Sequence, residues 1–282
     1  LKDFGKKYKM RHLVLGSSGQ IGSHLIKYLD EKGEQYLEFD IVHDSYEDLR
    51  TPQHFLLENY IKNSDIVHFL AFEVGGAKYL ERYEHSYEFI DINLRIMLNT
   101  FELLHKYNKP FIFASSQMAE MPFSTYGNLK LIGEKITKDI GGINVRFWNV
   151  YGYETNMHKS HVITDFVLMA KREGIIKMRT DGTESRQFLY ADDACEALLT
   201  LSKKYKKLPK DKNYCITSFK WNTIGEVANI IDVLSSCDIK IGDKKDRTQM
   251  NLMNDPDPFI KKYWKPKTSL EDGITKIYNM YE

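Results

Sequence analysis

The stretch Leu13-Val14-Leu15-Gly16-Ser17-Ser18-Gly19-Gln20-Ile21-Gly22 decides the fold, because a short apolar run enters a glycine-rich turn that opens an amphipathic segment. This order predicts a β-strand that turns into an α-helix. The first N–H groups of such a helix and its dipole attract negative charge, and the glycines let a pyrophosphate approach them closely. The spacing is G-x-x-G-x-x-G, which an ordinary strand-to-helix turn could also carry.

An acidic residue ends the next apolar run. Asp40 follows Gly22 by eighteen residues, where a carboxylate can accept hydrogen bonds from the adenosine ribose of a dinucleotide and would repel a 2′-phosphate. A solvent-facing acid at a strand end is the alternative for Asp40 alone. Together with the glycine turn, Asp40 predicts NAD as the cofactor in preference to NADP.

The first half of the chain alternates short apolar runs with longer amphipathic stretches, a pattern typical of a parallel sheet with crossover helices. We predict strands at His12–Leu15, Tyr36–Phe39, Ile66–Leu70, Pro110–Ala114 and Asn144–Phe147. We predict helices at Gln20–Glu31, Pro52–Lys62, Tyr83–Tyr107 and Tyr126–Asp139, and polar connections at Asn156–Ser160, Lys203–Lys212 and Lys240–Asp257.

These elements predict an α/β fold: a Rossmann-type doubly wound parallel sheet with a smaller C-terminal α/β substrate lobe. Residues 10–152 are predicted to form the NAD-binding domain. Residues 153–282 are predicted to form mainly the substrate lobe, interleaved with returns to the sheet.

Composition excludes several other classes of protein. The 282 residues are 42% hydrophobic, enough for a sizeable core, and 40 Lys+Arg against 39 Asp+Glu give no support to a nucleic-acid partner. No run approaches the roughly 18 apolar residues of a membrane helix, and the Lys-rich residues 1–10 have no apolar leader region. Three widely spaced cysteines indicate neither disulfides nor a metal site. We therefore expect a cytoplasmic protein without a metal or a membrane partner.

A second segment carries the residues for chemistry. An apolar run ends at Ser115-Ser116, and Tyr126 and Lys130 follow four residues apart, on one face of a predicted helix. A phenol with an ordinary pKa of about 10 can act as a base if an ammonium and a positive nicotinamide ring stabilise its phenolate. We predict Tyr126 as general acid/base, Lys130 as its cation and ribose contact, and Ser116 as partner of the reacting oxygen. An exposed Tyr with a solvated Lys is the alternative for that pair alone.

In this order the motifs resemble those of the extended short-chain dehydrogenases, the family of NAD-dependent nucleotide-sugar epimerases, dehydratases and reductases. The resemblance covers nearly the whole chain. Asp65–Ala71 is similar to the family's D-x-V-x-H-L-A strand, with Phe69 in place of the usual His, and Gly133-Glu134 extend the Tyr-Lys motif. Three later segments also match: Arg146–Gly152 resembles R-x-x-N-V-Y-G, Asp181–Asp193 resembles G-x-x-x-R-x-F-x-x-V-D-D, and Trp264–Gly273 resembles W-x-P-x-x-x-L-E-x-G.

The resemblance implies two sets of binding residues. The implied cofactor contacts are Gly16, Gly19, Gln20, Ile21, Gly22, Asp40, Ile41, Asp48, Leu49, Leu70, Ala71, Phe72, Asn93, Tyr126, Lys130 and Trp148. The implied contacts to a nucleoside-diphosphate sugar are Ser116, Asn149, His161 and Arg186. Asn149 and Arg186 would hold the diphosphate, and a guanidinium suits phosphate through its paired donors. A structural salt bridge of Arg186 with Asp192 or Asp193 is the alternative.

The resemblance also implies the first chemical step, in which NAD removes hydride from a sugar carbon, usually C4, while the tyrosine takes the hydroxyl proton. Gln117-Met118 stand where 4,6-dehydratases carry Asp-Glu, and the cysteine of the 3,5-epimerases is missing after Ser116. Two reactions remain: a 4-epimerase, or a 4-dehydrogenase that releases the 4-keto sugar. An NAD(P)-dependent 4-keto-sugar reductase and a catalytically silent dinucleotide-sensing regulator are the alternatives.

Some features bear on the pocket and on assembly. His161 stands where many family members carry Asn. Glu120 or His161 could assist proton transfer, but such residues are more often surface or hydrogen-bonded structural residues. The resemblance further suggests a homodimer built from the Tyr83–Tyr107 and Tyr126–Asp139 helices. Their apolar faces could equally pack only on the sheet.

Overall fold

The computed structural model describes residues 9–246 and 254–281. Most of the Lys-rich start at residues 1–10, and the middle of the connection predicted at Lys240–Asp257, lie outside the described residues. Among the residues described, no helix is long and apolar enough to cross a bilayer.

The first half of the chain alternates strands and helices. Its elements are β1 (Arg11–Leu15), α1 (Gln20–Glu31), β2 (Gln35–Phe39), α2 (Phe55–Asn63), β3 (Ile66–Phe69), α3 (Ala77–Tyr83), α4 (Tyr87–Lys106), β4 (Phe111–Ser116), a 3₁₀ turn (Gln117–Glu120), α5 (Thr125–Asp139) and β5 (Ile143–Phe147).

In the part of the second half that the structure describes, shorter strands lie between four helices. Its elements are β6 (Asn149–Tyr151), α6 (Val162–Glu173), β7 (Ile175–Lys177), β8 (Ser185–Arg186), β9 (Phe188–Tyr190), α7 (Ala191–Lys204), β10 (Asn213–Ile216), β11 (Asn222–Thr223), α8 (Ile224–Ser235), β12 (Asp238–Lys240) and α9 (Leu270–Met280). Two 3₁₀ turns, Tyr205–Lys207 and Pro258–Lys262, lie between them.

Within the described ranges, six strands form one parallel sheet in the order β10-β5-β4-β3-β1-β2. Alternate side chains of these strands enter two separate cores. Val14, on one face, packs with apolar residues of α1 and α7. Leu13, on the other, packs with residues of α2, α4 and α5. Helices thus cover both faces, which confirms the predicted Rossmann-type doubly wound fold.

The helix predicted at Tyr83–Tyr107 is confirmed for Tyr87–Lys106, but its start is wrong, because the helical conformation is interrupted between α3 and α4. α3 ends at Tyr83, and α4 begins at Tyr87. The Ser86 hydroxyl accepts a hydrogen bond from the Phe89 N–H at 3.2 Å and caps the new helix. The helix predicted to begin at Pro52 begins at Phe55, where His54 provides the cap.

The second half forms its own apolar core from α6, α8 and α9, with Phe166, Val227 and Ile274 among its buried side chains. It also returns to the main sheet. β10 pairs with β5 at the edge, and α7 packs against α1. The polar stretch predicted as a connection at Lys203–Lys212 therefore leads back into the sheet. A domain boundary at residues 152–153 stays a prediction.

Candidate active site

A cleft of about 1500 Å³ opens at the carboxyl ends of the central strands. The turns after β1, β3, β4 and β5 line one side of it, and residues of the second half line the other. Open α/β sheets bind their ligands at this edge. The volume exceeds the roughly 300–1,000 Å³ of a pocket for one drug-sized ligand, so the cleft can hold a dinucleotide together with a second molecule.

The glycine turn is as narrow as its sequence predicts. A Cβ on Gly22 would lie 2.0 Å from the Gly16 carbonyl oxygen, so α1 packs directly on the turn. Gly16 has a φ of +84°, a conformation that glycine adopts without strain. Among the described residues no side chain caps α1 at Gly19. The N–H groups of the first turn therefore face the cleft beside Gln20 and Ile21, an arrangement that fits a pyrophosphate.

The acidic residues predicted at the adenosine end line the cleft as well. Asp40 accepts hydrogen bonds from the N–H groups of Ser18 and Val42, at 2.9 Å and 3.0 Å. Asp48 forms a paired contact with the guanidinium of Arg50, at 2.8 Å and 2.7 Å, and this contact holds the pKa of the Asp48 carboxyl below its ordinary value. The other residues predicted here, Ile41 and Leu49, lie on the cleft wall.

Most other predicted cofactor contacts line the cleft, but Asn93 lies behind its wall. Leu70, Ala71, Phe72 and Trp148 border the cleft. Asn93 is buried, and its side-chain amide forms two hydrogen bonds with the backbone of Glu73. The amide oxygen accepts from the Glu73 N–H at 2.8 Å, and the amide nitrogen donates to the Glu73 carbonyl at 3.1 Å. It therefore holds the loop after β3 in place, a supporting role that differs from the predicted cofactor contact.

Ser116, Tyr126 and Lys130 meet at the end of β4, all three buried. Burial raises the pKa of Tyr126 to about 12. A hydrogen bond with Ser116 has the opposite effect, because it favours the phenolate. The Lys130 Nζ donates to the Ala114 carbonyl at 2.6 Å and lies 5.7 Å from the centre of the Tyr126 ring. Burial lowers the pKa of Lys130 to about 7.

Phe72 completes this cluster. Its ring centre lies 3.6 Å from the Lys130 Nζ and 5.6 Å from the centre of the Tyr126 ring, which it meets edge-on. An aromatic face attracts a cation and so favours the charged form of Lys130, in opposition to burial.

The predicted substrate residues line the same cleft, and each has a defined environment. His161 contacts the Glu154 carboxylate through Nδ1 at 2.6 Å. Asn149 has a buried amide oxygen that lacks a hydrogen-bond partner within residues 9–246 and 254–281. Such a group costs free energy unless a ligand or water satisfies it. Both residues line the cleft.

Arg186 pairs with an acid that the sequence did not indicate. Its guanidinium contacts Asp246, sixty residues away along the chain, and burial lowers its pKa to about 10. Asp193, one of the two acids predicted as alternative partners of Arg186, instead accepts hydrogen bonds from the N–H groups of Lys267 and Thr268, at 3.0 Å and 2.8 Å. This contact joins two of the matched motifs and gives Asp193 a structural role.

Two further acids have structural contacts. Glu120 pairs with Arg146 and lines a separate small cavity behind Trp148, which removes it from the reacting groups. Glu84, in the break between α3 and α4, is buried and contacts the first turn of α5. Only Ser86, a cap residue ahead of an apolar run, could have revealed that break in the sequence.

A sequence model of the NAD dependent epimerase/dehydratase family matches residues 12–217. The chain belongs to this family. Its cofactor is therefore NAD, as Asp40 predicts. The GDP-L-fucose synthase 1 of Arabidopsis thaliana is 26% identical over 306 residues, which cover 95% of this chain and 92% of the synthase.

Solved structures share the fold. The UDP-glucose 4-epimerase of Thermotoga maritima, solved with UDP-glucose, has a TM-score of 0.78 at 20% identity, covering 96% of this chain and 98% of that one. The UDP-glucose 4-epimerase of Thermus thermophilus, solved with NAD, has a TM-score of 0.76 at 18% identity, covering 96% and 99%.

Proposed function

We propose that this protein oxidises a nucleoside-diphosphate sugar at C4 by transferring hydride to NAD. The observation that carries the proposal is the meeting of Ser116, Tyr126 and Lys130 in the cleft that begins at the glycine turn. A general base, its hydrogen-bond partner and a cation thereby lie together in a cleft whose volume is sufficient for both ligands.

Each of the three residues has a part in the proton transfer. NAD, when bound, accepts the hydride as the carbinol C–H bond breaks and the carbonyl forms. Tyr126, as phenolate, takes the hydroxyl proton, and Ser116 orients the reacting oxygen by a hydrogen bond. The ammonium of Lys130 lowers the cost of the phenolate, since an opposite charge at this distance favours ionisation.

Asn149 and Arg186 support the choice of a nucleoside diphosphate as the substrate. Both residues line the cleft. Arg186 carries a buried positive charge, and the side-chain NH2 of Asn149 can donate a hydrogen bond to a phosphate oxygen. A phosphate accepts charge-assisted hydrogen bonds from a guanidinium and can compete with the Asp246 carboxylate for it. The names of the relatives GDP-L-fucose synthase and UDP-glucose 4-epimerase also refer to nucleoside-diphosphate sugars.

The fate of the hydride separates a 4-epimerase from a 4-dehydrogenase. To test this, the protein is incubated with NAD and a panel of UDP-, GDP-, dTDP- and ADP-sugars, while NADH absorbance and product NMR are followed. We expect inversion at C4 without net NADH from an epimerase, and net NADH with a keto sugar from a dehydrogenase.

Tyr126→Phe tests the assignment of the general base, because it removes only the phenolic hydroxyl. We expect this variant to bind both ligands and to lose hydride transfer. Turnover equal to wild type would overturn the assignment of Tyr126. Tightly bound NAD without turnover on any sugar would instead favour the dinucleotide-sensing regulator, and NADH consumption with a 4-keto sugar as the sole activity would favour the reductase.

A further inference from the structure

Glu84 lies where the chain breaks between α3 and α4. Its backbone N–H donates to the Leu80 carbonyl at 3.0 Å and ends α3, two residues before Ser86 caps α4. The side chain is 7% exposed and points away from both helices toward the start of α5. A buried carboxylate at such a junction needs hydrogen-bond donors.

The first turn of α5 supplies those donors. One carboxylate oxygen of Glu84 accepts the Ser124 hydroxyl at 2.8 Å and the Tyr126 N–H at 3.1 Å. Ser124 caps the helix by accepting the Gly127 N–H at 3.0 Å. Because the Tyr126 N–H stands in the first turn, it has no carbonyl partner within the helix. Glu84 therefore satisfies a backbone group of the predicted general base itself.

We propose that Glu84 is a positioning residue that anchors the first turn of α5 and thereby holds Tyr126 against Ser116. The inference rests on the proposed hydride-transfer function for its kinetic consequence only. Glu84 lies behind the wall of the cleft, so it acts through Tyr126 and has no contact with the ligands. A displacement of about 1 Å in a reacting group can cost on the order of a hundredfold in rate.

Charge gives Glu84 a second effect on the same residue. Among the described residues, Tyr126 interacts with Ser116, Lys130, Phe72 and Glu84, and the negative charge of the Glu84 carboxylate adds to burial in raising the pKa of Tyr126. Near Glu84 itself lies His85, whose Nε2 is 4.0 Å from the other carboxylate oxygen of Glu84. The negative charge of the Glu84 carboxylate that anchors α5 thus disfavours the Tyr126 phenolate. The positive charge of Lys130 must offset this effect.

Two substitutions separate the anchor from the charge. Glu84→Gln keeps an oxygen that can accept both hydrogen bonds but is neutral, whereas Glu84→Ala removes the bonds as well. Ser86→Ala is the matched control, since it removes the cap of α4 in the same junction and leaves α5 untouched.

Hydrogen exchange followed by mass spectrometry tests the anchor without reference to any substrate. For Glu84→Ala we expect the amides in residues 124–128 to exchange about tenfold faster than in wild type. We expect Glu84→Gln to exchange as wild type does, and Ser86→Ala to change only the start of α4. Unchanged exchange in Glu84→Ala, or equal loss in all three variants, would overturn the anchoring role. If Glu84→Ala does not fold, Glu84→Met, which keeps the length of the side chain but has no oxygen acceptor, replaces it and should show the same faster exchange.

The pH profile of turnover tests the electrostatic effect. We expect Glu84→Ala to lose about tenfold or more in kcat with little change in KM. For Glu84→Gln we expect the ascending limb of the profile to move to lower pH, because the phenolate no longer faces a like charge. A limb that stays in place or moves to higher pH contradicts this effect. A wild-type protein without turnover would refute the proposed function and leave the exchange result to decide on Glu84.

Discussion

Arg186 brings a buried positive charge to the cleft, where Asp246 neutralises it. A diphosphate that replaces Asp246 gains a charge-assisted contact of ~1.5–3 kcal/mol. We therefore expect Arg186→Ala to raise the KM for the nucleotide sugar by about 10- to 150-fold, with the KM for NAD unchanged. Steady-state kinetics with each ligand varied in turn checks this. A parallel rise in both KM values would point to a general loss of structure.

Asp40 combines a charge with a fixed position at the end of β2, because the N–H groups of Ser18 and Val42 hold its two oxygens. Asp40→Asn retains one acceptor and removes the charge that repels a 2′-phosphate. We expect the preference for NADH over NADPH to fall by about tenfold, or ~1.4 kcal/mol. Fluorescence titration with each reduced cofactor measures this preference. An unaltered ratio would show that the carboxylate charge does not select the cofactor.

Two buried histidines make the stability of the protein sensitive to acid. His12 on β1 and His68 on β3 stack with their nitrogens 2.9 Å apart, and burial lowers the pKa of His12 to about 4 and that of His68 as well. In the unfolded chain both have ordinary values near 6.5. The unfolded state therefore binds more protons below that pH, and the free energy of unfolding falls as the pH drops from about 6.5 toward 4.

Urea unfolding between pH 7.5 and 4.5 tests this dependence, at up to ~1.4 kcal/mol per pH unit for each histidine. We expect His12→Leu/His68→Leu to flatten the fall. His158→Leu, at an exposed position, serves as control and should follow wild type. If the double variant loses stability as steeply as wild type, the histidine pair is not the cause.

At the scale of elements, the spacing of apolar residues predicted those strands and helices whose formation depends on residues close together in the sequence. The five strands of the first half appear where their apolar runs lie, because their apolar side chains pack into the two cores. The helix predicted from Tyr83 begins only at Tyr87. The sequence hides this interruption because the helical periodicity of apolar residues continues across Glu84–Ser86. The Arg186–Asp246 pair and the supporting role of Asn93 depend on contacts distant in sequence, for which spacing gives no signal.

The junction of β1 and α1 allows a sharp test at this scale. In Gly22→Ala the new methyl group would lie 2.0 Å from the Gly16 carbonyl oxygen, so α1 must move away from the turn. We expect NAD affinity to fall by about tenfold or more, since the first N–H groups of α1 shift with the helix. Calorimetric titration with NAD measures this. Gly174→Ala, at the end of α6, is a control with no heavy atom near the added methyl group among the described residues. Its positive φ makes alanine cost some stability there, but NAD affinity should stay at the wild-type value.

At the scale of the whole molecule, α4 and α5 lie side by side and each leaves an apolar side chain exposed. Leu98 is 58% exposed and Ile132 is 44% exposed. We propose that this surface pairs with its copy in a homodimer, and we expect Leu98→Glu or Ile132→Glu to convert a dimer into a monomer in light scattering. Val233→Glu on α8, at a position 82% exposed, should leave the assembly unchanged. A wild-type monomer, or dimers in all variants, would contradict the interface.

The edge strand β10 also has a consequence for how the protein is made. During translation, β5 is synthesised some seventy residues before β10. A nascent chain that ends near residue 152 therefore exposes the hydrogen-bonding edge of β5. It also exposes the apolar face of the sheet that α7 later covers. Such a chain is poised to pair with other chains. Productive folding of the cofactor half thus waits for synthesis of α7 and β10, and a gene cut after residue 152 should yield an aggregating fragment.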